Sequence, residues 1–459
     1  MWEAAMVDEL MTSELKVMLL EHDEEGLRTL ANEFHPATIA KFSEGLSVEE
    51  IWTLLDHAPV DRQAQIIPYF SIRTQVALVE GLGRERMLRL VERMAPDDRA
   101  DLLANLEPEV LDSLMPLVAQ TERDEIRQLL SYPEHSAGTI MTTQYASLPA
   151  DTRVGDALIQ LRRQAPNSET IYSIWILDSQ RHLLGVVSLR DLVLARPEAL
   201  VGDLMRRDVV SAQVDEDREE VARKLARYDV LAIPIVDHEN RLVGIVTHDD
   251  VLDVVVEEAT EDVQRLGGVG AVVDNYLEES FVRIWGKRVG WLSCLFIAEL
   301  FTFTALAYFE NEIAAVLALS LFVPLCISTG GNSGSQAATL VTRAIALGQV
   351  EPRDTWRVLR HEFLMGLALG LSLGAIGFFR AALTPQKVLG TADRWDVALV
   401  IGQAVAAICL WGTLVGSLLP ILFKRLGFDP AFASSPFVAT FVDVTGIIIY
   451  FSIARMYLL

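Results

Sequence analysis

Between Pro430 and Ala454 the sequence carries a single charged residue, Asp443, within the apolar stretch SPFVATFVDVTGIIIYF (435–451). A carboxylate at the centre of a bilayer costs about 2.5–3.5 kcal/mol even on the mildest insertion scales, so its presence asks for a function or a partner. Ser435, Ala439 and Asp443 recur at i, i+4 and i+8, with Thr440 beside them. Small side chains on that face would let a helix or a hydrated ion approach the carboxylate. The structural alternative is an aspartate bonded to a hydroxyl or an arginine. The absence of a cation in the surrounding stretch favours an ion-binding carboxylate. Glu299, in LFIAELF, is a second acid in an apolar segment.

A matching polar stretch precedes it. From Ser328 to Gln336 every residue is small or polar, three of them glycine. Asn332 and Gln336, four apart, would form a polar wall on one helix face. Gly330 and Gly334 have the spacing of close helix packing. The competing reading, favoured here, is a broken or exposed backbone along a wet path, because polar backbone at membrane depth survives only where it is buried or lines water.

These residues need elements to hold them. The chain has 459 residues, 51% hydrophobic, with a net charge of −24. From Val289 onward ten basic residues balance ten acidic ones, so the negative excess lies in residues 1–288. Five apolar segments, roughly 289–309, 313–341, 362–383, 396–423 and 430–458, have the length to span a bilayer. Arg343, Arg353, Arg357 and Arg360 follow the second segment and Lys424 and Arg425 the fourth, whereas FENEIA after the first is acidic. The positive-inside rule then places the N-terminal part in the cytoplasm and the C-terminus outside. MWEAAMVDELMTSEL is acidic and lacks the basic start of a signal peptide. Cys294, Cys326 and Cys409 lie in apolar segments, which points to packing rather than disulfides.

Residues 139–258 hold an internal repeat with a period near sixty. WILDSQRHLLGVVSLRDL and PIVDHENRLVGIVTHDDV align Asp178 with Asp237, Gly185 with Gly244, Ser188 with Thr247 and Asp191 with Asp250. Each copy reads as helix, strand, turn, strand, helix, with Ser188 and Thr247 as N-caps. Before it, residues 1–132 read as short amphipathic helices in a wound helical array. After it, DDVLDVVVEEATEDVQRL crowds acids onto one helix, where like charges at i, i+3 and i+4 repel. A solvated linker explains that crowding, and so does a site for divalent cations, since Mg2+ takes one or two carboxylates and keeps its waters.

The order of these parts resembles the MgtE family of magnesium transporters. The pieces that carry the resemblance are YPEHSAGTIMT (132–142), TGGNSGSQAATL (329–340) and DPAFASSPFVATFVDVTG (429–446), and the repeat is similar to a tandem pair of cystathionine-β-synthase (CBS) domains. The resemblance implies an all-α superhelical N-domain over 1–134, an α/β tandem CBS pair over 135–257 (135–198 and 199–257), a connecting plug helix over 258–283 and an all-α five-helix transmembrane domain over 284–459. It implies a homodimer in the prokaryotic cytoplasmic (inner) membrane, in contact with lipid, with no nucleic acid and no other protein partner.

The function it implies is passage of Mg2+ into the cytoplasm, closed by cytosolic Mg2+. Asp443 matches the family's pore aspartate, with Asn332, Gln336, Ser435, Ala439 and Thr440 along the path. Asp97 and Asp101, Glu219 and Asp229, Asp250 and Asp253, and Glu258, Glu261 and Asp262 match regulatory metal sites, and Asp429 a residue that meets the plug. CBS pairs often take ATP, with Asp191 near the ribose. Gln65, where the family often has an acid, and Glu299 depart from the pattern. The alternative is a nucleotide-gated divalent cation transporter that prefers Co2+ or Mn2+. The chain contains no HExxH, GxSxG, P-loop or CxxC motif, which speaks against an enzyme.

Overall fold

The structure, a computed structural model, describes residues 2–270, 279–316, 318–389 and 392–458. It divides into two compact units, Met1–Glu258 and Ala259–Leu459.

The first unit begins with helices that follow one another from Trp2–Glu21 to Gln120–Leu129, each after the first being seven to ten residues long. The starts are written in the sequence. Ser47 and Glu50 form a reciprocal capping box, and Pro36, Pro96 and Pro108 sit in first turns, where a missing N–H costs nothing. Helices pack on the helix two further along, and their apolar faces close over Leu54, Leu55, Ile66, Ile67, Leu78 and Leu90. Helix α1 (Pro96–Ala104) carries Asp97, Asp98 and Asp101. Its Arg99 is 4% exposed and ion-pairs with Glu125 of α2 (Gln120–Leu129) at 3.1 Å. Glu125 also accepts a hydrogen bond from Thr143, so one buried network ties α1 and α2 to the start of the repeat.

The repeat folds into two small sheets of one design. β1 (Tyr145–Pro149) pairs parallel with β2 (Thr170–Leu177), which pairs antiparallel with β3 (Leu183–Ser188). β4 (Ala212–Gln213), β5 (Ala232–Val236) and β6 (Leu242–Thr247) repeat that order. Ile176 opposes Gly185 in one sheet as Ile235 opposes Gly244 in the other. The matched glycines have a reason. A Cβ on Gly185 would sit 2.7 Å from the Arg206 carbonyl oxygen, and one on Gly244 would sit 2.9 Å from that of Thr142. Each sheet thus accepts the backbone of a linker close against its third strand, bridging at Val186–Arg206 and Ile245–Thr142. Helix α3 (Arg218–Tyr228) follows β4, and α4 (His248–Leu266) follows β6.

The expected plug over 258–283 is therefore not a separate helix from its start. α4 begins ten residues earlier and stops at Gly267 and Gly268, where Gly268 has a left-handed φ of +72°. Residues 271–278 of that expectation lie outside the described residues.

The second unit contains α5 (Phe281–Tyr308), α6 (Ala318–Ala346), α7 (Thr355–Ala382), α8 (Arg394–Arg425) and α9 (Ser435–Leu458). Four of them, α5, α7, α8 and α9, are long and apolar enough to cross a membrane. α6, at 29 residues, has the length as well, but Ser328–Gln336 makes its middle polar, so among the described residues length and composition single out four of the five expected spans. α8 is the centre, packing on α6, α7 and α9. Close approach comes from glycine. A Cβ on Gly412 would lie 2.2 Å from the Gly330 oxygen, and one on Gly416 would lie 2.0 Å from the Gly334 oxygen.

Candidate functional site

The expected break in α6 is absent: the helix runs unbroken from Ala318 to Ala346, with Pro324 inside it. Its polar segment instead serves two faces. Gly330 and Gly334 press against α8, while Ser333 donates to the Cys409 carbonyl at 3.0 Å and shares a hydrogen bond with Thr413. Ser328, Gly331, Asn332 and Ser335 turn to a cavity of about 380 Å³. Glycine spacing alone could not decide between packing and a wet path, because adjacent stripes of one helix do both.

Asp443 and Ala439 of α9 line the same cavity, and so does Glu299 of α5. Gln336, Ser435 and Thr440 are not among its lining residues. Gln336 is exposed, the Ser435 carbonyl accepts from Ser335 at 3.2 Å, and Thr440 borders a separate apolar recess with Phe301, Phe437 and Phe441. Among the described residues Asp443 has no ion pair. The apolar segments are not free of cations at their ends. Arg455, in the last turn of α9, pairs with buried Glu312 at 2.8 Å.

The first unit gathers a second set of carboxylates. Burial holds the Asp97 carboxyl up at about 6, with Glu169 and Asp101 adding repulsion. Asp98 is pushed to about 8 by burial and by Asp97 and Asp250. Asp101 is raised to about 6 by the surrounding protein and by Glu257. Asp250 rises to about 7 through burial and Asp97, against the pull of its hydrogen bonds from Thr247. Asp253 is raised by burial and by Asp249. Asp97 Oδ1 is buried and has no hydrogen-bond partner. Asp98 and Glu169 join this group beyond the residues that the sequence singles out, together with Glu257 of the acid-crowded α4. Asp98 neighbours Asp97 in the chain, whereas Glu169 sits just ahead of β2 with no local signal.

Other acids already hold partners. Glu257 and Glu258 share Arg218, each at 2.9 Å. Glu219 pairs with Arg223 at 2.8 Å. Asp229 follows α3 in a left-handed conformation, so Glu219 and Asp229 bracket one helix, separated by about 15 Å of rise, and are not brought together. In the second unit Arg265 reaches both Glu261 and Asp429, and Asp429 also caps the Ala431 N–H at 2.8 Å. Asp191 donates its backbone N–H to Ser188 Oγ at 3.0 Å. Among the described residues no group of three or more His, Cys, Asp or Glu side chains is arranged to hold a metal ion. Arginines occupy several of these acids.

The chain matches known families part by part. Residues 34–135 match the MgtE intracellular N domain, 137–198 and 201–257 match CBS domains, and 323–453 match the divalent cation transporter domain of MgtE. The chain is 39% identical over 459 residues to the magnesium transporter MgtE of Thermus thermophilus, covering 98% of this chain and 99% of that one. It is 30% identical to the magnesium transporter MgtE of Bacillus subtilis over 446 residues, 97% of both. Among solved structures, the cytosolic domain of the Mg2+ channel MgtE in complex with ATP superposes with a TM-score of 0.51 at 37% identity, covering 53% of this chain and 99% of that one. The soluble part of a magnesium transporter gives the same TM-score at 30% identity, over 55% and 99%.

Proposed function

Because the chain belongs to the MgtE family of magnesium transporters, we propose that it admits Mg2+ into the cytoplasm along a path that passes Asp443, and that cytosolic Mg2+ closes the path. The observation that carries this reading is the cavity at Asp443, walled by Asn332, Ser328 and Ser335. Mg2+ gives up its waters reluctantly. A carboxylate supplies charge, and amide and hydroxyl groups bond the water shell, so the ion passes hydrated.

Closure follows from the cytosolic acids. Asp97, Asp98, Asp101 and Asp250 repel one another, and each is harder to ionise than a free carboxyl. Divalent ions relieve that repulsion and favour the arrangement in which these acids are close. A ligand that binds one state better shifts the population toward it. Glu258, Glu261, Asp262 and Asp429 extend the same logic along α4 and to the start of α9. The working unit is a homodimer in the inner membrane, with the N-terminus cytoplasmic and the C-terminus external. The CBS pair takes an adenine nucleotide as modulator, with Asp191 at the ribose, a reading supported by the ATP complex of the similar cytosolic domain.

The test is Mg2+ uptake into proteoliposomes that contain the full chain, at low and high Mg2+ on the cytoplasmic face. Uptake that high cytoplasmic Mg2+ suppresses, and that Asp443→Ala abolishes in a folded protein, supports the reading. Undiminished flux through Asp443→Ala sinks it.

A further inference from the structure

The cavity at Asp443 has a wall that the polar segment of α6 does not supply. Glu299 and Thr302, three residues apart and so on one face of α5, line it together with the α6 hydroxyls and amide. Among the described residues Glu299 has neither an ion pair nor a hydrogen bond. Thr302 Oγ1 is buried without a partner. Thr329, Thr339 and Thr413, in contrast, each return their hydroxyl to the carbonyl four residues back, at 2.8, 2.9 and 2.9 Å. A buried hydroxyl left unpaired beside a polar cavity is the group that an ordered water shell would satisfy. The space suits such a shell. Six waters occupy roughly 180 Å³ at about 30 Å³ each, within the 380 Å³ available.

Charge points the same way. A doubly charged ion is held more firmly as carboxylates are added beside it, because Coulomb attraction grows with the opposing charge. We propose that Glu299 is the second carboxylate of the Asp443 site and sets its affinity for a doubly charged, hydrated cation, with Thr302 bonding the water shell. This rests on the transport reading above. The departure of Glu299 from the family's pattern then has a use: this chain binds the ion with two acids per protomer.

The experiment measures the Mg2+ concentration for half-maximal uptake in proteoliposomes of the full chain. Glu299→Gln should raise it about tenfold, a modest share of the Coulomb attraction expected at an effective dielectric near 20. Glu299→Asp, which keeps the charge, should stay within about threefold of the original. An unchanged value in Glu299→Gln, with Asp443→Asn still abolishing flux, overturns the proposal and leaves the transport reading intact. An equal rise in the Asp and Gln variants assigns the effect to packing and also overturns it. Absence of Mg2+ flux in the original protein overturns the transport reading itself. Where Glu299→Gln does not fold, Thr302→Val decides: a rise of about threefold supports the site, and no rise overturns it.

Discussion

Arg265 and Asp429, 164 residues apart in sequence, form an ion pair, and the same guanidinium also meets Glu261 one helical turn before it. Arg265 lies in the last turn of α4 and Asp429 just ahead of α9, so the pair fixes the end of one helix to the entry of another. A bound divalent cation would do the same to the two carboxylates. The arginine is thus an internal cation at a place where the metal is expected to act.

Arg265→Met should therefore expose the Gly267–Gly268 turn to protease when Mg2+ is absent. A half-buried pair worth about 1 kcal/mol corresponds to roughly a fivefold faster cleavage. Added Mg2+ should restore protection by bridging Glu261 and Asp429. Equal cleavage of both proteins in EDTA would show that the pair does not hold the helix end.

The carboxylates around α1 predict a pH dependence. Their folded pKa values are raised, so the stability they lend is fully present below the unfolded value near 3.8 and is lost as pH rises through about 6 for Asp97 and about 8 for Asp98. In EDTA the first unit should be most resistant to heat near pH 4 and progressively less so toward pH 8. Asp98→Asn removes the most perturbed of these charges. Its melting temperature should exceed that of the original at pH 8 and match it near pH 4. Circular-dichroism melts of the full chain at both pH values check this, and a variant that melts lower at pH 8 would contradict it.

Neutralising the acids of α4 should separate sensing from conduction. The triple change Asp250→Asn, Glu258→Gln, Asp262→Asn should leave the path open at cytosolic Mg2+ levels that close the original. If the acids do not sense Mg2+, the change should leave inhibition where it was, whatever it does to the stability lent by buried Asp250 and the Arg218–Glu258 pair. Mg2+ inhibition curves in proteoliposomes distinguish the two.

The glycine contact between α6 and α8 predicts loss of fold rather than loss of chemistry. Gly416→Ala would place a Cβ about 2.0 Å from the Gly334 carbonyl oxygen, so the helices must move apart. Overpacking of this kind costs about 1–3 kcal/mol. Thermal unfolding in detergent should shift downward, and Gly427→Ala, which meets no neighbour but carries a left-handed φ of +81°, should shift it through backbone strain alone. Unchanged unfolding of Gly416→Ala would refute the tight contact.

Local patterns determined much of this protein. The repeat in residues 139–258 was legible because matched strands need matched alternation, and Gly185 and Gly244 stand where a linker backbone crosses a strand. The helix start at Ser188 was legible because capping acts over three or four residues. Asp443 stood out because its cost in an apolar helix depends on its immediate neighbours alone. Tertiary structure decided what depends on distance across the fold. It put Glu299 in the cavity with Asp443, gathered Asp98 and Glu169 with Asp97 and Asp250, and assigned Glu261 and Asp429 to Arg265. It also divided the faces of α6, setting Gly330 and Gly334 against α8 and Asn332 toward the cavity. Coulomb and contact energies act between residues far apart in the chain, and sequence spacing carries no record of which helix faces will meet.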